Sequence, residues 1–443
     1  MIVRIIITLC ISFILSSSLY AEMAESPKEL SLKDSVNIAF LNNKAIQIQE
    51  EELQVSKANV LGAKSAFWPK LAAQYGYTYN GYAFNLGSLA RGAKKDPGIF
   101  SGYANDNKVG VSVNEAVYNG GADIAYLKEA RLGVRVQEET LRARKLDVAF
   151  ETKRLYYGLL LAYETERITE NLLSQAKAHY DDVKDKFDQG TSSKFDVLQS
   201  SVQVSKIIPE VVKARNAIQI IGAEFKKVMS MRLDEDVRLT GHLACDPVEA
   251  KEADSLKDAY KSNPEMILKT LGIDISKWEI EYAKSGYYPQ VDANFGYNYR
   301  SNNMETIFDY RHSNWAVGVT VGLSIFDGMS TKAKVDAAKA KYGEARLSRE
   351  DFSDQLAVDV KTACLDMKEA DEIIKSQRDS IVEAKEALKI SEIGYDNGVT
   401  TNLDVLDSQV SLSQVEKNLA EGIYDYLIAR AQLDRLMGRE TYE

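Results

Sequence analysis

Asp404 and Asp407 lie three positions apart in a stretch without proline, so a helix there would carry both carboxylates on one face. Such a pair can serve as a general acid and base, or simply as a solvated helix face. Catalysis would call for a pocket-forming α/β pattern around the pair, and the flanking sequence has none. His179, His242 and His312 are the only histidines; none has metal-ligand spacing, and no Gly-rich phosphate loop follows a strand candidate. Neither a cofactor nor a metal is expected, and the chain does not read as an enzyme. Cys245 and Cys364 are too far apart to define a disulfide framework.

The segments that must position these residues come in two copies. Ala63–Tyr79 (AKSAFWPKLAAQYGYTY) and Ala283–Tyr299 (AKSGYYPQVDANFGYNY) match at an offset of 220. From Val109 onward the offset becomes 208, and it holds through Gly190 and Gly398, through Phe195–Leu198 and Leu403–Leu406, to Met229 and Met437. The expected plan is a first repeat over 22–231 and a second over 254–443, joined by a connector at 232–253 that is rich in Asp and Glu.

Within each repeat, a stretch without proline (121–189 and 329–397) reads as one helix of roughly 70 residues, about 100 Å long. Shorter helices are expected before the strands, at 46–67 and 264–286, and after the turn, at 192–231 and 401–438. Pro209 should kink the first of the latter two. In the last helix Leu419, Ile423, Tyr426, Leu433 and Met437 follow a coiled-coil spacing, with Arg430 the one charged residue in the series.

Strands are expected at about 71–82, 107–118, 289–300 and 315–326, from their alternation. Val291, Ala293, Phe295, Tyr297 and Tyr299 share one face, while Asp292, Asn294, Asn298 and Arg300 share the other. Glu115 breaks the pattern by falling on a valine face. Strands of about ten residues ending in tyrosine match those that cross a bilayer, although a soluble sheet alternates too. Four strands cannot close a barrel in lipid, so copies of the chain must combine. Three would give twelve strands, with 82–106 and 301–314 as surface loops.

Residues 1–21 read as an export leader, with Arg4, an apolar run over Ile5–Leu15, and cleavage near Ala21. Cys10 lies inside that run, which argues against lipidation. The formal net charge of -10 argues against nucleic acid, which calls for clustered Lys and Arg.

Gly394-Tyr395-Asp396-Asn397-Gly398-Val399-Thr400-Thr401-Asn402-Leu403-Asp404-Val405-Leu406-Asp407-Ser408-Gln409 resembles the helix-turn-helix near the closed periplasmic end of the TolC family of outer-membrane efflux proteins. The resemblance covers nearly all of the chain after the leader. It implies a mixed fold, a homotrimer whose twelve-stranded membrane β-barrel continues into a long α-helical coiled-coil tunnel. It also implies a periplasmic adaptor and an inner-membrane pump of RND or ABC type as partners, outer membrane lipid around the barrel, and an exit duct for efflux or type I secretion.

The same resemblance assigns roles. Asp404 and Asp407 correspond to the acidic residues that make the family's tightest pore constriction, where crowding among three copies would raise some of their pKa values. Asp196 and Tyr395 resemble the partners of a link that holds the tip shut, and the turns at Gly190, Thr191, Gly398 and Val399 correspond to the end where the adaptor docks. This chain departs from the pattern at Thr400, where an arginine would reinforce closure. It departs again at Gln199, the first-repeat counterpart of Asp407. A small equatorial belt is expected from Glu22–Asn43 and the connector. The rival architecture is a periplasmic coiled-coil adaptor whose strands form a soluble sandwich.

Overall fold

The structure is a computed structural model that describes residues 28–79, 105–248 and 251–439. The expected leader with Cys10, and the last part of the first expected strand, lie outside those residues. Two compact units are formed, Met1–Ile48 with Arg142–Asn263 and Gln355–Glu443, and Gln49–Leu141 with Pro264–Asp354.

In the second of these units the strands β2 (Lys70–Tyr79), β3 (Asn105–Asn119), β5 (Gln290–Ser301) and β6 (Ser313–Gly322) form one antiparallel sheet in the order β2-β3-β5-β6. The alternation decides its two faces. Leu71, Tyr75, Tyr77, Phe295, Trp315, Val317 and Val319 stand exposed on one side, and Asn114, Asp292, Asn294, Asn298 and Arg300 lie on the other. Strand β6 starts earlier than expected and stops at Gly322. Its pairing with β5 ends at Gln290, because Pro289 precedes that residue and has no N–H for the ladder. Leu323 and Ile325 continue the alternation but have no partner strand. The misfit at Glu115 is followed by a register shift between Ala116 and Tyr118, where β3 bulges against β5.

Helices α2 (Lys44–Lys64) and α6 (Pro264–Lys284) enter this sheet through matching 3-10 turns at Ser65–Phe67 and Ser285–Tyr287. The strands return to helix through residues with positive φ, Gly120 and Gly121 in the first repeat and Gly328 and Met329 in the second. A Cβ at Gly120 would run into the Ser285 backbone carbonyl, so glycine is required there for space as well as for conformation. In the second repeat the Asp327 carboxylate receives the Thr331 N–H (2.7 Å) and hydroxyl (2.5 Å), which hold its pKa below the usual carboxylate value.

Two helices run much longer than the rest, α3 (Ala122–Asp188) and α7 (Ser330–Asp396), each of 67 residues, and two of 35 residues follow the turns, α4 (Lys194–Val228) and α8 (Asn402–Leu436). Of the expected coiled-coil series, Ile423, Tyr426, Leu433 and Met437 are buried, Leu419 is half-buried and Arg430 is exposed. Leu172 and Ala176 of α3 pack with Ile207 and Val211 of α4. Helix α4 continues unbroken through Pro209, which sits on its exposed side.

Three features of the first unit were not read from the sequence. The strands β1 (Lys28–Leu30) and β4 (Val237–Leu239) pair in parallel, tying the N-terminal segment to the connector. Helices α1 (Leu32–Asn42) and α5 (Glu252–Ser262) are both 11 residues long and sit 220 positions apart, so a matched helix pair precedes α2 and α6, and α5 begins inside the expected connector. Each ends on an asparagine that anchors the tail of its repeat. Asn43 donates to the Val228 carbonyl at 2.7 Å, and Asn263 donates to the Leu436 carbonyl at 2.9 Å. Cys245 and Cys364 are free thiols; burial raises both pKa values, and nearby Glu252 adds to the effect at Cys364.

Candidate functional site

Both long helices end in the same way. At Gly190 (φ 80) the Gly190 N–H donates to the Phe187 carbonyl and the Thr191 N–H to the Lys186 carbonyl, each at 2.8 Å. At Gly398 (φ 72) the Gly398 N–H donates to Tyr395 (3.1 Å) and the Val399 N–H to Gly394 (2.7 Å). This is the double-bonded helix stop that needs a left-handed residue, and glycine supplies it without a Cβ penalty.

The next helices begin alike as well. Ser193 caps α4, its Oγ accepting from the Asp196 N–H (3.1 Å), while the Asp196 carboxylate accepts from the Ser193 N–H (3.2 Å) and hydroxyl (2.6 Å). Thr401 and Asp404 repeat this reciprocal cap on α8, with the Asp404 carboxylate accepting from the Thr401 N–H and hydroxyl, both at 2.7 Å. Asp404 is therefore first a capping residue. The Thr401 backbone and side-chain bonds lower its pKa, whereas crowding was expected to raise it; crowding requires carboxylates from further copies. Asp407 stands exposed one turn further along the same face.

The two repeats meet at Asn402, which is 3% exposed at the start of α8. Its Oδ1 contacts His179 Nε2 at 2.7 Å and accepts from the Ser200 hydroxyl at 3.1 Å. Its Nδ2 donates to the Asp196 carbonyl (3.3 Å) and to Gln199 Oε1 (3.0 Å). All four bonds that the amide can make are thus made, and this network fixes both the amide orientation and the ring N–H on Nε2. Alongside, Lys186 binds Asp396 (2.8 Å) and Asp182 (2.9 Å), and lies 4.3 Å from the Tyr395 ring centre. Partial burial opposes the charge on Lys186, but the two carboxylates outweigh it and raise its pKa. His179 meets the same tyrosine ring edge-on at 5.3 Å.

Asp196 and Tyr395, expected as partners, are not hydrogen-bonded to each other within the chain. The Asp196 carboxylate is held by Ser192 and Ser193, and the Tyr395 ring by Lys186 and His179. Asn402 joins the repeats instead. Sequence comparison carried one usable signal for it, since its counterpart at an offset of 208 is Lys194, a change of chemical type inside an otherwise matched motif. Among the described residues no group of His, Cys, Asp and Glu could hold a metal ion.

Two segments of the chain, residues 36–229 and 256–439, match the family model for outer membrane efflux proteins, one segment for each repeat. The chain belongs to the outer membrane efflux protein family. Among curated proteins it is 21% identical to outer membrane protein TolC of Vibrio cholerae, over 91% of this chain and 90% of that protein. It is 18% identical to the alkaline protease secretion protein AprF of Pseudomonas aeruginosa, over 93% of this chain and 85% of that one. Among solved structures, the Campylobacter jejuni CmeC outer membrane channel superposes with a TM-score of 0.82 at 17% identity, covering 92% of this chain and 85% of that one. The open state of the Neisseria gonorrhoeae MtrE outer membrane channel gives 0.77 at 16% identity, with 92% and 89% covered. As a member of this family the chain is an outer-membrane channel protein, with its strands in the membrane and its long helices in the periplasm. None of its described helices is long and apolar enough to cross a membrane.

Proposed function

We propose that three copies of the chain form a passive exit duct for efflux or type I secretion, gated where the two helical turns meet. The sheet carries this reading. It has one apolar exposed face, a polar opposite face and two unpaired edges, β2 and β6. Ten residues at about 3.3 Å each, tilted as barrel strands are, span a hydrocarbon band of about 25 Å. Open edges are not tolerated in lipid, so β2 of one copy pairs with β6 of the next.

Asp404 and Asp407 line the constriction, six carboxylates in three copies, and favour cations there. Asp196 and Tyr395 act in the gate through their own partners, with Asn402 tying α8 to α3 and α4. The turns at Gly190, Thr191, Gly398 and the exposed Val399 present the end to which a periplasmic adaptor docks, itself bound to an inner-membrane RND or ABC pump. The match to the outer membrane efflux protein model and the identity to the secretion protein AprF support efflux and secretion systems alike.

Fractionation of cells tests the reading. A protein recovered only with detergent from the outer membrane is expected, whereas recovery in the soluble periplasm would make it an adaptor with a soluble sheet.

A further inference from the structure

On the polar face of the sheet Lys108 of β3 sits directly opposite Arg300 of β5. Like charges in that position repel, and a strand pair selected for stability alone would match an acid with a base. A single carboxylate serves both cations. Asp106 receives Arg300 through two bonds, of 2.7 and 2.9 Å, and lies 3.4 Å from the Lys108 ammonium. The acid is 4% exposed, whereas the Lys108 and Arg300 side chains are 56% and 49% exposed. An approaching solute therefore meets two cations, with the compensating anion hidden behind them.

The position matters as much as the charge. These residues lie at the end of the strands away from Lys70, Asn119 and Gln290, where the helices attach, and their same-face neighbours Thr78, Gly110, Asn298 and Asn314 are uncharged. Lys108, Arg300 and Asp106 together carry one net positive charge per chain, in a protein whose overall charge is -10. The opposite face is the apolar one that meets lipid, so the cations face the interior.

We propose that Lys108 and Arg300, clamped by Asp106, form an anion-binding ring inside the outer mouth of the barrel, with a preference for multivalent oxyanions such as phosphoryl groups. This rests on the duct reading above, because the ring exists only when three sheets close. Arginine beside lysine suits such ligands, the planar guanidinium offering paired donors and the ammonium a compact charge. The duct would then attract anionic solutes at the mouth and cations at its acidic tip.

Planar-bilayer recordings with tripolyphosphate added on the loop side of the barrel test the ring. The wild-type channel is expected to be blocked in 0.1 M salt, with the block lost in 1 M salt. Lys108→Gln leaves the Arg300–Asp106 clamp in place and removes the net charge, and should weaken the block about tenfold, as three screened charges at pore distance would. Lys108→Glu reverses the charge and should abolish the block. Conducting wild-type channels indifferent to tripolyphosphate, or equal block of wild type and Lys108→Gln, would overturn the ring alone. Failure to conduct at all would remove the duct and the ring with it.

Discussion

The turns of the two repeats share a backbone and differ in what they bury. Each stops a 67-residue helix at a left-handed glycine and starts a 35-residue helix with a hydroxyl-carboxylate cap. In the second repeat Leu406 is 4% exposed and Asn402 3%, whereas their first-repeat counterparts Leu198 and Lys194 are open to solvent. Duplication has kept the local chemistry that makes the turn and released the side chains around it. The first turn exposes Phe195, Leu198 and the basic Lys194; the second buries Asn402 and Leu406 in its own chain and exposes Asp404 and Asp407 beside Val399 and Leu403.

The largest effect expected from this difference concerns charge. Replacing Asp404 and Asp407 together by Ala should weaken block by trivalent cations at least about a hundredfold in bilayer recordings, because six carboxylates leave a narrow ring. Ala at Asp196, with Gln199 left in place, should barely change it. Equal loss from either repeat would erase the proposed division of labour.

Next comes the polar junction. Asn402→Leu leaves His179, Ser200 and Gln199 without a shared partner and should destabilise the tip by about 2–3 kcal/mol, the cost of stranding buried polar groups. A higher single-channel conductance is expected to accompany it. Lys194→Leu, at the matching exposed site, should stay within about 0.5 kcal/mol. If the two substitutions behave alike, Asn402 is not a tie.

Titration sharpens the comparison further. Asp404 has its pKa lowered in the fold, so its charge and the stability of its cap are complete above the ordinary value of 3.8 and disappear only as pH falls below it. Cation block should therefore persist at pH 5 and fade only in more acidic solution. Loss of block between pH 5 and 7 would mean that crowding among copies outweighs the Thr401 bonds.

The smallest effect is expected at Tyr395. Phe keeps the ring that Lys186 and His179 contact, so Tyr395→Phe should leave conductance unchanged. A clear rise would place a partner for its hydroxyl on a neighbouring copy.

Much of this architecture was legible in the sequence because it is periodic. The long helices and the alternating strands each declare themselves within a short window, and their bounds differ from the expected ones by only a few residues. Elements held by distant contacts were not legible. The three-residue strands β1 and β4 have no pattern of their own and exist through pairing with each other. Helices α1 and α5 are too short to stand out from their surroundings. Nothing near Asn402 in the sequence marks it as a tie, since its partners at 179, 199 and 200 lie more than 200 positions away. The caps at Ser193 and Thr401 are readable from their spacing to an acid three residues on, although the family resemblance assigns those acids to a closing link (Asp196) and a pore constriction (Asp404).

Light scattering on the detergent-extracted chain tests most directly whether sheets from separate copies close the barrel. The account predicts a single species of three times the mass of one chain, which falls apart when Val317 and Val319 on the apolar face are replaced by Asp. A stable monomer that needs no detergent would contradict it.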